Sequence, residues 1–161
     1  MISRRNALIL SFLFIFLAAG CREPLKHFCF KSLQGDGWQP EDTLNLELDL
    51  RKSDEGKNIY ISASFREFEK MQMMKEGSFS LFIKMISPSG AEKRDTLSLP
   101  FNSQEIKSKR EGKIIQFQWP YLTSVNPNEE GIWKIELTRP RGDFLKYERL
   151  RGVGISCKAT P

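Results

Sequence analysis

Apolar and polar residues alternate along most of this chain, most regularly in the segment 44–50. Four leucines there are separated by Asn45, Glu47 and Asp49. A period of two places all four leucines on one face of a strand and the polar residues on the other. The segment therefore predicts a strand with one buried face.

Six further segments show the same alternation, with glycine, proline or polar residues between them. They are the ranges 59–65, 79–86, 93–99, 114–119, 132–138 and 150–157. The turn at 87–90 (SPSG) predicts a hairpin, because proline fixes one φ and glycine accepts a positive one. Pro100 and Pro120 are expected to end strands. The segment 67–76 fits a helical turn or an irregular strand.

Seven short strands with little helix predict two packed sheets. The predicted fold is all-β, a single antiparallel β-sandwich of about seven strands and of immunoglobulin-like type. The segment 129–135 has the spacing of a sandwich corner, in which an acidic and a small residue precede an aromatic one. We expect Trp133 to pack and hydrogen-bond locally at that corner.

The N-terminus has a different pattern. Arg4 and Arg5 precede an apolar run without a polar face, which ends in the sequence AAG before Cys21. The run is shorter than the roughly twenty residues that a membrane-spanning helix needs. It predicts a lipoprotein signal peptide, cleaved between Gly20 and Cys21, with lipid attached to the sulfur of Cys21.

These boundaries divide the chain into three parts. Residues 1–20 are the predicted signal peptide, and 21–37 are the lipidated N-terminus and a tether containing Pro24 and a GDG turn. Residues 38–158 form the predicted β-sandwich domain. Cleavage leaves 141 of the 161 residues, a length suited to one domain with a hydrophobic core.

The chain carries 25 Lys and Arg residues against 20 Asp and Glu residues, a net charge of +5. Because this excess is spread along the chain, no nucleic-acid partner is predicted. The densest basic stretch, 107–113, has the charge to contact lipid headgroups or an acidic partner. It falls between two predicted strands, so a solvated loop is the favoured interpretation.

Once Cys21 carries lipid, Cys29 and Cys157 remain, one near each end of an exported chain. Two hypotheses stay open. The two cysteines form a disulfide, or they are separate thiols with Cys157 buried in the last strand. A bridge that closes so long a loop would stabilise the fold by about 4–5 kcal/mol in the loop-entropy description.

No set of residues predicts an enzyme. His27, the only histidine, lies on the predicted tether, where nothing would hold it against a nucleophile or a carboxylate. His27 and Cys29 supply at most two adjacent metal ligands. Glu129 and Glu130 are assigned to a solvated turn, and the sequence GVG at 152–154 lacks the helix that follows a nucleotide-binding loop. We therefore predict no catalytic residue, no metal and no cofactor.

Several short motifs occur together in an order that resembles the gliding-motility lipoprotein family GldH of Bacteroidetes. The resemblance covers nearly the whole mature chain. It rests on the lipobox, on Trp38 with Asp42 and Leu44, and on the segments 61–66, 88–90, 95–97, 131–133 and 150–155.

The resemblance implies a non-enzymatic lipoprotein that supports gliding motility alongside other envelope proteins of the gliding and type IX secretion apparatus. Acylated Cys21 would hold it in the membrane. Arg22 is not the aspartate that retains some lipoproteins in the inner membrane, so we expect the outer membrane. The sequence after Cys21 also lacks the acidic cluster typical of surface lipoproteins in Bacteroidetes, which favours the periplasmic face.

A second hypothesis comes from a different class of protein. The sandwich would bind a glycan or a peptidoglycan fragment by stacking sugar rings on aromatic side chains. The aromatic residues available for this are Trp38, Trp119, Trp133 and Tyr121.

Overall fold

The computed structural model describes residues 27–35, 37–66, 77–102, 107–141, 147 and 150–159. The signal peptide, Gly20, Cys21 and the ambiguous segment 67–76 lie outside these residues. Within them, no helix combines the length and apolar composition needed to span a bilayer.

The described residues form nine β-strands and one short 3-10 helix, Lys52–Asp54. The strands are β1 (Phe28–Ser32), β2 (Leu44–Leu50), β3 (Asn58–Arg66), β4 (Ser78–Ile86), β5 (Glu92–Pro100), β6 (Lys107–Glu111), β7 (Ile114–Leu122), β8 (Gly131–Thr138) and β9 (Leu150–Lys158).

The strands make two antiparallel sheets. One has five strands in the order β1-β9-β3-β7-β6, and the other has four in the order β2-β8-β4-β5. First and last strands pair, and the partners then move inward along the chain as β1–β9, β2–β8, β3–β7 and β4–β5. Successive pairs alternate between the two sheets, so the chain is one long antiparallel ribbon rolled into a sandwich, as in a jelly roll.

The predicted fold class, an all-β antiparallel sandwich, is confirmed. Its strands number nine in the described residues rather than about seven. The strand order is that of a jelly roll, which revises the immunoglobulin-like connectivity. The alternation of residues determines which face of a strand is buried, but it does not determine which strands become neighbours.

Strand β1 corrects the predicted domain boundary. It lies within the segment 21–37 that was assigned to a tether, and it pairs with β9 in continuous register from Phe28 opposite Ser156 to Ser32 opposite Gly152. The sandwich therefore begins at Phe28 rather than at Trp38. The alternation was not recognised in β1 because the strand has only five residues, and its three apolar residues, Phe28, Cys29 and Phe30, are consecutive.

Two further predictions are corrected at the other edge of the same sheet. The basic stretch at 107–113 is not a loop, since Lys107–Glu111 forms the edge strand β6 and turns at Gly112 into β7. Strand β7 also continues through Pro120 to Leu122. All five side chains of β6 are exposed, and charges on an edge strand discourage pairing with another chain.

The core lies between the inner faces of the two sheets. Strands β2 and β3 supply their alternating apolar residues, as predicted, and Phe65, Phe101, Phe117 and Trp119 form a cluster of edge-to-face and stacked rings. Trp38 is also buried, and it donates a hydrogen bond to the carbonyl of Asp42 at 2.9 Å.

The hairpin turn at 87–90 is held by a carboxylate from a distant loop. Glu129 accepts hydrogen bonds from the Ser89 amide at 2.8 Å and from the Ser89 hydroxyl at 2.7 Å. The pKa of Glu129 is lowered by these bonds. Trp133 donates to the Glu129 carbonyl at 3.2 Å, so this corner aromatic does bond locally. Glu129 thus joins two loops instead of being only a solvated turn residue.

The ring of Phe30 is the reason that β9 has glycine at two positions. This ring lies over Gly152 and Gly154, where any side chain would occupy the same space. A Cβ added at Gly154 would stand 2.6 Å from Phe30 Cδ2 and 2.8 Å from the Cys29 carbonyl oxygen. The sequence GVG is therefore a packing site for an aromatic ring.

We expect Gly154→Ala to lower the free energy of unfolding by about 1–3 kcal/mol, because β1 must move away from β9 to make room for the methyl group. Urea denaturation of the purified protein measures this. Ser156→Ala, on the same strand and face, is the matched control and should change stability much less. Equal midpoints for Gly154→Ala and wild type would contradict the packing role of the glycine.

Candidate functional site

The outer face of the five-stranded sheet carries three ordered rows of side chains. Each row crosses the sheet from β1 to β6 or β7, and its members are cross-strand neighbours. The first row is Phe30, Gly154, Ser62, Gln118 and Lys107. The second row is Ser32, Gly152, Ser64, Gln116 and Lys109, and the third is Phe28, Ser156, Tyr60 and Pro120.

In the first two rows, side-chain size falls from lysine on β6 and glutamine on β7 to serine on β3 and glycine on β9. On β1, the rings of Phe28 and Phe30 stand beyond the small residues of β9, and the third row has Tyr60 on β3. A depression therefore runs along β3 and β9, parallel to the strands. We call it the trough, defined by the three rows.

The trough has two connected parts. The larger part has a volume of about 570 Å³ and is lined by Phe28, Ser62, Gln118 and Lys107 among others. The smaller part has a volume of about 280 Å³ and lies between Phe30 and the strands β3, β6 and β7. Together they have the size of a small-ligand or oligomer site.

Polar side chains at the bottom of the trough are linked to one another. Gln118 donates from Nε2 to the Ser62 hydroxyl at 3.3 Å and to the Ser156 hydroxyl at 3.5 Å. Its Oε1 accepts a bond from Lys158 Nζ at 2.6 Å. Gln118 is therefore oriented by side chains of β3 and β9, and each serine oxygen keeps further hydrogen-bonding capacity.

His27, which lines the trough, lies beside a buried carboxylate. Asp54, fully buried on the 3-10 helix, accepts hydrogen bonds from Lys57 Nζ at 2.6 Å and from the Arg51 amide at 2.8 Å. His27 Nδ1 lies 3.7 Å from the same carboxylate. Burial raises the pKa of Asp54, but the Lys57 and Arg51 hydrogen bonds outweigh it, and the pKa is lowered.

His27 is thus not on a loose tether, which corrects the sequence prediction. It stands beside Asp54, and its carbonyl accepts the Cys157 amide at 2.9 Å. The group nevertheless lacks an accessible nucleophile. Cys157 is only 5 % exposed, and burial raises the pKa of its thiol to about 11, so the thiolate is scarce at neutral pH.

Cys29 and Cys157 lie on neighbouring strands and are not bridged in this structure. Cys29 is opposite Ile155, so Cys157 is its diagonal neighbour on the same face. Diagonal neighbours stand about 7–8 Å apart, beyond the usual Cα separation of a disulfide. A bridge would require β1 to shift along β9, and it stays a prediction.

The four aromatic residues assigned as sugar platforms do not form a site. Trp38 and Trp119 are buried in the core. Trp133 packs partly against the core, and Tyr121 donates to Asp95 at 2.6 Å on the other sheet. On β1, the exposed ring of Phe28 and the partly buried ring of Phe30 are 6.2 Å apart with an interplanar angle of 14°.

The sequence pointed to the basic stretch 107–113, which forms one wall of the trough, but the residues of its floor were not predicted. The signal available was the polar half of each alternating strand. In β3 and β7 this half holds serine and glutamine in place of the charged residues that usually face water. Recognising a site also requires the register between strands, because the trough comes from five segments that are distant in sequence.

The remaining predicted site residues are those for lipidation and signal-peptide cleavage, and the remaining question is whether a metal site is present. Cys21 and Gly20, assigned to lipidation and cleavage, lie outside the described residues. Among the residues that the structure describes, no group of three or more His, Cys, Asp or Glu side chains could hold a metal ion.

Comparison with known proteins finds no family model that matches the chain, and neither a curated protein nor a solved structure matches at a significant level.

Asp54→Asn should lower the free energy of unfolding by about 1–3 kcal/mol at pH 7, because it weakens the charge-assisted bond from Lys57. A carboxyl whose folded pKa is lowered stabilises the fold above its unfolded pKa, near 3.9, and loses this contribution as pH falls through the folded pKa. The wild type and the variant should therefore converge in acid.

Urea denaturation at pH 7 and at pH 3 measures both effects. Glu55→Gln removes an exposed neighbouring carboxylate and should leave stability nearly unchanged. A difference between Asp54→Asn and wild type that stayed constant from pH 7 to pH 3 would contradict the ionised state assigned to Asp54.

Proposed function

We propose that this chain is a lipid-anchored, non-enzymatic binding protein of the bacterial outer membrane. It supports gliding motility as a component of the gliding and type IX secretion apparatus. The trough is its binding face. The family resemblance supplies the cellular role, and the trough supplies a physical means of binding.

The observation that carries this proposal is the closeness of the trough to the predicted anchor. His27 is the sixth residue after Cys21, and His27 and Phe28 both line the trough. An extended chain spans at most about 3.6 Å per residue, so this end of the trough stays within roughly 20 Å of the lipid. A partner in the trough is therefore held next to the membrane.

The two outer faces of the sandwich differ in a way that favours the trough. On the four-stranded sheet, Lys84 Nζ lies 3.1 Å from a carboxylate oxygen of Glu92 and 3.1 Å from one of Glu136. Lys84 therefore forms an ion pair with each glutamate. These bonds raise the pKa of Lys84. The trough instead has serine and glutamine side chains at its bottom, with the exposed ring of Phe28 and the partly buried ring of Phe30 beside them. Aromatic side chains are enriched in surfaces that bind a partner.

Replacing Cys21 by alanine should abolish both lipid attachment and function. We expect the variant to lose a palmitate label and to leave the membrane fraction. Cells that carry it in place of wild type should spread on agar as poorly as cells lacking the protein. Cys29→Ala is the matched control, since its thiol is not the lipid site, and it should keep label, location and spreading.

The partner is tested by crosslinking in native envelopes, followed by purification of the acylated protein. We expect gliding or secretion components to be recovered with wild type and not with Cys21→Ala. Recovery of bulk outer-membrane proteins alone, or normal spreading by the Cys21→Ala strain, would contradict the proposed role. Protease treatment of intact cells should leave the protein uncut if it faces the periplasm.

A further inference from the structure

The chemistry of the trough indicates a ligand rich in hydroxyl groups. Ser62 is 1 % exposed at the bottom, and Ser64, Ser156, Gln116 and Gln118 surround it. Hydroxyl and amide groups both donate and accept hydrogen bonds. Sugar hydroxyls do the same, so they can use the hydrogen-bonding capacity that remains on these groups beyond the bonds of Gln118 to Ser62 and Ser156, whereas an apolar ligand cannot.

The ring wall adds a flat apolar surface. Phe28 is 57 % exposed, the most exposed large apolar side chain among the described residues, and its ring is nearly parallel to that of Phe30. The C–H face of a pyranose ring packs on such a surface while its hydroxyls point away. The rings therefore stand on one side of the polar floor, as a sugar chain would require.

The opposite wall is basic. Lys107 and Lys109 extend from β6, and the exposed Lys158 at the end of β9 donates a hydrogen bond to Gln118. Glu111 is the one acidic residue that lines either part of the trough, and it is paired with Lys109 at 2.5 Å. The local charge is therefore positive and favours an anionic ligand.

We propose that the trough binds a segment of anionic polysaccharide, with its sugar hydroxyls on the serine and glutamine floor and its acidic groups on Lys107 and Lys109. This inference rests on the proposed function, because it names the ligand that the anchored protein would hold. The segment lies along β3 and β9, parallel to the strands.

Strand pairing favours a glycan over an acidic peptide. A peptide commonly binds a sheet by hydrogen bonding to an exposed edge. The floor strands β9, β3 and β7 each have a neighbour on both sides, so their backbone groups are already used. Recognition must pass through side chains, which suits a ligand whose own side groups are hydroxyls.

Calorimetry on the purified acylated protein in detergent tests the proposal with three probes of matched length. Polygalacturonate oligosaccharide is an anionic glycan, dextran oligosaccharide is a neutral one, and polyglutamate is an anionic peptide. We expect binding of polygalacturonate that weakens as salt rises, with dextran and polyglutamate at least about tenfold weaker.

Substitutions in the trough, each compared with an equivalent substitution on the other sheet, test whether the polysaccharide binds at the trough. Phe28→Ala and the double variant Lys107→Gln/Lys109→Gln should each weaken polygalacturonate binding about tenfold or more. Their controls lie on the other sheet. Phe82→Ala also removes an exposed ring, and Lys93→Gln/Lys134→Gln removes two exposed charges. All variants alter exposed side chains, and thermal unfolding confirms that each is folded.

Each result decides the proposal. Equal binding of polyglutamate or of dextran would overturn it, as would no binding of polygalacturonate, or equal losses in the trough and control variants. These measurements do not depend on the lipid anchor. If polygalacturonate does not bind, the proposed role in the envelope is still tested by the Cys21→Ala strain. The polysaccharide proposal and the proposed envelope role can therefore fail separately.

Discussion

The pairing of the first strand with the last is the interaction on which the rest of this structure depends. It closes the rolled ribbon, and it is tight because the Phe30 ring occupies the space above Gly152 and Gly154. The same contact raises one wall of the trough. It also begins the sandwich at Phe28, seven positions after the cysteine that we predict to carry lipid.

The two outer faces of the sandwich show how a common architecture produces different surfaces. The four-stranded sheet carries ion pairs such as Lys84 with Glu92 and Glu136, which are stable in water and need no partner. The five-stranded sheet carries small hydroxyl side chains between longer ones, and this taper leaves a depression. Polar groups placed in a depression contribute little to folding, but they are well placed to bind.

The sequence predicted what depends on local periodicity. Segment 44–50 forms strand β2 with the predicted bounds, and the hairpin at 87–90 is present. Strands β1 and β6 were missed because neither alternates clearly. β1 is short, and β6 is charged at nearly every position. The jelly-roll order and the trough were not predictable, because both depend on pairing between segments that are distant in sequence, such as those of Phe30 and Gly154.

We propose that the trough is the face that meets a partner in the cell. A photo-crosslinking amino acid at position 111, which lines the trough, tests this against one at position 93, on the opposite sheet. Illumination of living cells should give a crosslinked adduct, macromolecular in size, from position 111 and little from position 93. Equal adducts from both positions, or an adduct from position 93 alone, would contradict the claim.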